Sequence, residues 1–138
     1  MIDIEITDCL AEEDRKAIFD GLVKYNLSKM EDKNPRQLAI CHKVDGQVKA
    51  GLIGTTVGDW LEVDLLWISD ELRHSGLGSA MLAAAEAEAV KRGCKHSTLY
   101  TYGFQAPVFY ARHGYQEVFV LENFPKTGKR YYYVKELV

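Results

Sequence analysis

The sequence lacks the features of several protein classes. Its 138 residues contain no run near the roughly 18 consecutive apolar residues of a membrane-spanning helix. Its formal charge of -3 gives no basic excess for collecting phosphate backbones, so we expect no nucleic-acid partner and no membrane. Residues 1–6 alternate charge with isoleucine and show no positive region before an apolar run, so we expect no secretory signal.

Cysteine is also scarce, and its spacing excludes two further classes. Cys9, Cys41 and Cys94 are odd in number and widely separated, which fits neither a disulfide framework nor a C-x-x-C pair. The four histidines form no pair at helix spacing. We therefore expect reduced thiols, a cytoplasmic location and no metal.

The composition is that of an ordinary globular protein. Apolar residues make up 47% of the chain and charged residues 27%. The length is close to that of a common single domain and too short for two. We expect one domain over residues 1–138.

Apolar spacing predicts strands that alternate with helices. Ile2, Ile4 and Ile6 recur at period two, which predicts an opening strand, and residues 11–30 have helical spacing with an interruption near Gly21 or Asn26. The later elements are strands at 37–44, 47–57 and 60–68, a helix at 76–92, a strand at 97–102, a helix at 105–113 and strands at 115–121 and 130–137. This order predicts an α/β protein with a mixed α+β sheet and helices on its faces.

Two of these elements carry more detailed predictions. Asp45-Gly46 tolerates positive φ and suits a tight hairpin turn between two strands. Leu65 to Ile68 form a continuous apolar run, which is typical of a strand covered on both faces, and we expect the centre of the sheet there.

The segment Arg73-His74-Ser75-Gly76-Leu77-Gly78-Ser79 lies between an apolar strand and an alanine-rich helix. Free backbone N–H groups at a helix start bind anions, and glycine lets a ligand approach the backbone closely. Two glycines in such a turn also occur simply to permit a tight bend. The spacing matches neither the Walker loop nor the dinucleotide fingerprint, whose third glycine is replaced by Met81.

Two separated motifs resemble the Gcn5-related N-acetyltransferases, the GNAT family. Arg73-x-x-Gly76-x-Gly78 matches the R/Q-x-x-G-x-G/A motif of the family, and residues 106–115, APVFYARHGY, resemble its second motif. The resemblance covers nearly the whole chain. It implies a GNAT-like acyl-CoA N-acyltransferase fold, with a central sheet splayed between the strands that end near Ile68 and Tyr102.

The resemblance also implies a cosubstrate, acetyl-CoA, and the residues that hold it. Its pantetheine arm would bond to the backbone of Leu66, Trp67 and Ile68, and its pyrophosphate would rest on the amides of residues 74–79, beside Arg73. Many members have Asn where Gly103 stands here, so Gln105 is a candidate replacement for that contact. His74 would contact CoA or solvent.

The chemistry implied is direct attack of a primary amine on the thioester. Tyr110 resembles the family's tyrosine that protonates or stabilises the departing thiolate. Glu62 and Asp64 lie two residues apart on one strand and so share a face, where either could take the amine proton, bind the substrate's ammonium group or be a solvated charge.

Several alternatives stay open at this point. The chain could be a noncatalytic acyl-CoA-binding sensor or regulatory module, or an interaction domain that binds no CoA. The basic and aromatic residues of 124–133 suit a loop that lines the acceptor pocket or a dimer contact better than a nucleic-acid site. A homodimer is expected from the family resemblance alone, and the acceptor is not identified.

Overall fold

The computed structural model describes residues 2–103 and 107–138. Its contacts divide the chain into two units, residues 1–32 and 33–138. The first contains one helix, α1 (Glu12–Leu27), with three acidic residues in its first turn and Lys24 in its last. These charges complement the helix dipole. The helix runs through Gly21 without interruption.

The predicted strand at Ile2, Ile4 and Ile6 is wrong. The described residues before α1 form neither helix nor strand. A strand needs a neighbouring strand to complete its hydrogen bonds, and the described part of this unit contains only a helix after it. Period-two spacing alone therefore did not make these residues a strand.

The second unit contains a six-stranded sheet and two helices. Its elements are β1 (Arg36–Val44), β2 (Gln47–Val57), β3 (Trp60–Ile68), a 3₁₀ turn (Asp70–Leu72), α2 (Leu77–Lys91), β4 (His96–Tyr102), α3 (Pro107–Arg112), β5 (Gln116–Glu122) and β6 (Lys129–Glu136). The strand order is β1-β2-β3-β4-β6-β5. Among the strands of the described residues, only β3 and β4 are parallel, and α2 connects them. The mixed sheet is confirmed, with β3 near its centre.

The turn and helix ends follow the residues that the sequence supplies. Asp45 and Gly46 have φ of 52° and 78°, as the predicted hairpin requires. Gly93, with φ of 95°, follows the last turn of α2 and fits the left-handed position after a helix end. Both predictions are confirmed.

The core lies between α2 and one face of the sheet, here called the helix face. Alternate strand residues point there, among them Leu61, Val63, Leu99 and Tyr133. From α2 they meet Gly78, Met81, Leu82, Ala85 and Ala89. Burying each leucine contributes about 2 kcal/mol. The opposite side, here called the open face, contains Glu62, Thr98, Tyr100 and Tyr132.

The sheet divides between β3 and β4. Their parallel pairing runs from Trp60 and His96 to Val63 and Leu99, and no further pair occurs between the described residues of the two strands. At the same level, the pairing of β2 with β3 jumps from Val63 to Leu65 and leaves Asp64 as an extra residue on β3. Such a bulge bends and twists a strand, so β3 turns away from β4 here.

The prediction that Leu65 to Ile68 are covered on both faces is wrong. Leu65 and Trp67 are 61% and 51% exposed, whereas Leu66 and Ile68 are half-buried. The bulge at Asp64 changes which residues point toward the core, from Leu61 and Val63 before it to the even-numbered residues after it. One face of this apolar stretch therefore lies open.

Candidate active site

The loop before α2 has the geometry of an anion site. Gly76 takes φ of 85° at the N-cap, and a methyl group on it would meet nothing within 4 Å, so the conformation itself favours glycine. No described side chain caps this end of α2, and its first turn contains no acidic residue. His74 also has positive φ, at 62°. The positive end of the helix dipole is therefore not neutralised.

Gly78 has a different role from Gly76. A methyl group on Gly78 would lie 2.9 Å from Cδ1 of Ile68 and 3.5 Å from the ring of Phe109. The side chains of β3 and α3 thus fill the space beside this glycine. Its small size lets the first turn of α2 approach both elements.

The polar residues of the loop bond mostly to the protein itself. Arg73 donates from Nε to the carbonyl of Ile68 at 3.2 Å and pairs with Asp70 at 3.2 Å. Ser75 donates its hydroxyl to the carbonyl of Leu72. Leu77 begins α2 and is half-buried. These contacts fix the loop against the end of β3.

Ser79 connects α2 with the end of α3. Its hydroxyl lies 2.9 Å from Nε2 of His113, and the His113 ring lies 4.7 Å from that of Phe109. Together with the contact between Phe109 and Gly78, this hydrogen bond joins the two motif segments. The sequence placed Ser79 in the predicted pyrophosphate loop but assigned no role to His113.

The end of β3 leaves one backbone edge without a strand neighbour among the described residues. On one side, Leu66, Trp67 and Ile68 pair with β2, and on the other side the pairing with β4 has already stopped. Their free edge faces the gap between the strands. Gln105 lies outside the described residues, and a methyl group on Gly103 would lie 3.5 Å from the nearest atom of the Tyr131 ring.

Tyr110 is buried on α3, with only 8% of its surface exposed. Its ring contacts those of Phe109, Tyr115 and Tyr133 at centroid distances of 5.1, 5.9 and 6.3 Å. Burial raises its pKa to about 12, because the charged phenolate is poorly solvated there. Its hydroxyl therefore keeps its proton at neutral pH.

A partly buried polar network lies beside Tyr110, whose ring contacts that of Tyr115. Tyr115 donates its hydroxyl to Glu86 at 2.9 Å and lies 2.8 Å from the hydroxyl of Ser97, and Lys135 donates to the same carboxylate at 2.8 Å. Burial first, and the nearby Glu86 second, raise the pKa of Tyr115. The network connects α2 with β4 and β6, so it holds the residues around Tyr110 in a fixed arrangement.

Glu62 and Asp64 meet in a cavity on the open face. This cavity has a volume of about 160 Å³ and is lined by Glu62, Val63, Asp64, Thr98, Leu99, Tyr100 and Tyr132. It lies where β3 leaves β4. A larger depression of about 350 Å³ runs along α1, but the residues that line it come from that helix alone, so it is a surface groove.

The predicted residues thus fall into two groups. Residues 73–79 lie beside α3, which also carries Tyr110, on the helix face. Glu62 and Asp64 lie together in the open-face cavity, and Tyr110 does not line it. The end of the β3–β4 pairing, at Val63 and Leu99, lies between the two groups.

Sequence reasoning missed two residues that shape the site, Tyr100 and His113, whereas Tyr132 lies in the segment 124–133 that was expected to line the acceptor pocket or a dimer contact. Tyr100 and Tyr132 are cross-strand partners on β4 and β6, and they form one wall of the cavity. Their even spacing from Thr98 and Val134 could have placed them on one face of the sheet, but not opposite Glu62. His113 lies inside the second motif, yet only the fold brings it to Ser79.

Two absences concern the described residues. They contain no group of three or more His, Cys, Asp or Glu side chains arranged to hold a metal ion. None of the helices in the same residues is long and apolar enough to cross a membrane.

Comparison with known proteins shows which family this chain is similar to. The family model of the acetyltransferase (GNAT) domain matches residues 9–117. An acetyltransferase from Agrobacterium fabrum (strain C58) is 37% identical over 114 residues, which cover 82% of this chain and 83% of that one. Blasticidin-S acetyltransferase from Streptomyces morookaense is 42% identical over 93 residues, 67% of this chain and 68% of the relative.

Solved structures agree with the sequence comparisons. A crystal structure from Agrobacterium tumefaciens, provisionally described as an acetyltransferase, is 32% identical, covers 98% of this chain and 99% of its own, and has a TM-score of 0.92. A protein from Bacillus anthracis str. Ames, solved in complex with acetyl coenzyme A, shares the fold at 14% identity with a TM-score of 0.64. The alignment covers 78% of this chain and 64% of that one.

Proposed function

The chain belongs to the GNAT family of acetyltransferases, and from that premise we propose that it transfers an acetyl group from acetyl-CoA to a primary amine of a small molecule. The observation that carries the proposal is the divergence of β3 from β4 directly beside the uncapped start of α2. One arrangement thus offers an unpaired strand edge and an anion site. Acetyl-CoA has one extended amide-rich arm and one pyrophosphate, which need these two features.

Binding would use both features at once. The pyrophosphate lies on the amides of residues 74–79, where the positive helix end stabilises negative charge. The pantetheine arm bonds to the free edge of Leu66, Trp67 and Ile68, as an added strand would. Arg73 stabilises the loop and adds positive charge at its rim.

The transfer follows from the groups on the two faces. The neutral amine nitrogen attacks the thioester carbon, a C–N bond forms and the C–S bond breaks. Tyr110, which is protonated at neutral pH, gives its proton to the departing thiolate and regains one from solvent. Glu62 or Asp64, directly or through water, takes the proton that the nitrogen loses.

A small-molecule acceptor has support from one relative. Blasticidin-S acetyltransferase, 42% identical over 93 residues, carries a small molecule in its name. The open-face cavity of about 160 Å³ also fits a small group better than a folded protein surface. A single domain over residues 1–138, a cytoplasmic location and a homodimer stay predictions.

Two measurements test the proposal. Calorimetric titration with acetyl-CoA and CoA should give saturable binding, and a thiol-release assay with a panel of primary amines should show amine-dependent release of CoA. Acetyl-CoA binding without turnover on any amine would favour the noncatalytic sensor instead. Failure to bind either form of CoA would exclude both functions.

A further inference from the structure

The open-face cavity contains charge of one sign. Its charged lining residues, within the described part of the chain, are Glu62 and Asp64. Glu62 precedes the bulge on β3 and Asp64 is the extra residue of that bulge, so both carboxylates project near the point where the strands diverge. An amine that approaches from this side meets two negative charges before it reaches the gap.

The opposite wall is aromatic. Tyr100 and Tyr132 stack with ring centroids 5.8 Å apart. The guanidinium of Arg130 lies 4.6 Å from the centre of the Tyr100 ring, 5.5 Å from that of Tyr132 and 4.1 Å from that of Phe124. Arg130 is not part of the cavity lining, so its charge lies outside the cavity while it holds the rings in place.

The size of the cavity limits what can enter. An engineered protein cavity of about 150 Å³ holds one benzene molecule. At about 160 Å³, the open-face cavity therefore has room for a single ring or a short alkyl arm. The two carboxylates favour a cation in this volume.

From these three properties we infer that the acceptor is a small cationic amine with no carboxylate beside its amino group. The inference rests on the proposed acetyltransferase function and names its substrate class. A free α-amino acid would bring its own carboxylate toward Glu62 and Asp64, and this repulsion would reject it. The same two residues attract the decarboxylated amine.

Matched pairs of amines test the inference directly. Agmatine and arginine differ only in the carboxylate beside the primary amine, as do tyramine and tyrosine, and phenethylamine and phenylalanine. With saturating acetyl-CoA at pH 8, kcat/KM should be at least about tenfold higher for the amine than for its amino acid in each pair. The α-amine of an amino acid is the less basic of the two, so intrinsic reactivity alone would give the opposite order.

Two variants and a control assign the preference to the cavity. Glu62→Gln and Asp64→Asn, singly and together, should bring the kcat/KM ratio of each pair to within about threefold. These substitutions remove the repelling charge but keep the shape of the side chains. The ratio separates this role from proton removal, since loss of a base slows both members of a pair. Asp45→Asn removes an equal charge from the β1–β2 turn and should leave the ratios unchanged.

The outcomes distinguish this inference from the function on which it rests. Amino acids that react as fast as their amines, or ratios that survive the double substitution, would overturn the inference and leave the acetyltransferase intact. Acetyl-CoA binding with no turnover of any of the six compounds would also overturn it, because this cavity should accept at least the smallest amine. Loss of acetyl-CoA binding itself would instead point to failure of the proposed function.

Discussion

The two faces of the sheet at the β3–β4 gap are built differently. On the helix face, Tyr110 is 8% exposed and Gly78 packs within a few ångströms of Ile68 and Phe109. On the open face, Tyr100 is 44% exposed, and the carboxylates of Glu62 and Asp64 reach solvent. Backbone groups and close packing thus form one side, and exposed side chains form the other.

Because of this difference, we expect the two faces to tolerate substitutions differently. A ligand held by backbone amides and a strand edge needs the fold itself, so the proposed acetyl-CoA site depends on the positions of β3, α2 and α3. An acceptor held by exposed side chains depends on a few residues that can be substituted without disturbing the core. Substitutions on the two faces should therefore affect different measurements.

The largest expected effect is on the helix face. Tyr110→Phe removes the proton donor but keeps the buried ring, so kcat should fall about 100-fold while the Kd for acetyl-CoA stays within about twofold. Initial-rate kinetics and calorimetry give the two numbers. Tyr25→Phe, on α1, is the matched control and should leave kcat unchanged. A Tyr110→Phe enzyme with full turnover would remove this residue from the mechanism.

Burial of the same tyrosine also predicts a pH dependence of stability. Below pH 10 the side chain is neutral in the folded and unfolded chain; between pH 10 and about 12 only the unfolded chain loses the proton. The unfolded state is then favoured, so the free energy of unfolding falls as pH rises, by up to about 1.4 kcal/mol per pH unit.

Urea unfolding at pH 7, 9, 10 and 11 measures this effect. Tyr110→Phe lacks the titrating group and should lose less stability than the wild type between pH 10 and 11, by up to about 1.4 kcal/mol. Between pH 7 and 9 the difference in unfolding free energy between the two proteins should stay constant. Parallel losses up to pH 11 would mean that Tyr110 ionises as easily in the folded state as in the unfolded one.

The stability of the bulge at Asp64 should be sensitive to one methyl group on the neighbouring strand β2. A Cβ on Gly54 would lie 2.5 Å from the backbone carbonyl oxygen of Glu62, which cannot move without disturbing the β2–β3 ladder. Gly54→Ala should therefore lower the unfolding free energy by about 2 kcal/mol. In the same variant, kcat/KM for amines should fall more than affinity for acetyl-CoA, since Glu62 precedes the bulge and Asp64 is its extra residue.

Gly21→Ala is the control for that substitution. A methyl group on Gly21 meets nothing within 4 Å in the interior of α1, so alanine should stabilise the protein by up to about 1 kcal/mol. Urea unfolding of both variants provides the comparison. A Gly54→Ala protein as stable as the wild type would show that the strands can separate at Glu62 without loss.

Most of the fold followed from local pattern, and the failures share one cause. Strands β1, β2 and β3 and helix α2 were predictable because period, turn residues and helix ends agreed within each segment. The opening strand and the two-sided cover of Leu65 to Ile68 were wrong because both depend on a neighbouring element. A single extra residue at Asp64 reversed the side-chain pattern, and no local spacing announces it.

The site divides in the same way. Arg73, Gly76 and Tyr110 could be proposed from motifs in which all the informative residues lie close in sequence. Tyr132 was not predictable as the wall opposite Glu62, because β4 must pair with β6 before the two meet. Contacts between distant segments depend on the order of strands in the sheet, and local sequence patterns do not reveal that order. The open face, where the acceptor is expected, was therefore the part least accessible to sequence reasoning.

The smallest predicted effect compares two glycines with the same backbone requirement. Gly76 and Gly58 both have positive φ, 85° and 55°, and a methyl group on either meets nothing within 4 Å. Alanine at each should therefore lower the unfolding free energy by a similar amount, about 1 kcal/mol, through backbone strain alone. Only Gly76 precedes α2 in the proposed pyrophosphate loop, whereas Gly58 lies in the β2–β3 turn.

Affinity for acetyl-CoA should separate these two variants. Gly76→Ala should raise the Kd by about fivefold, because strain at the N-cap moves the amides that hold the pyrophosphate. Gly58→Ala should leave the Kd unchanged at equal loss of stability, which calorimetry and urea unfolding can establish on the same samples. Equal Kd values in the two variants would mean that the loop is only a tight turn. The proposal that backbone groups on the helix face bind acetyl-CoA would then be wrong.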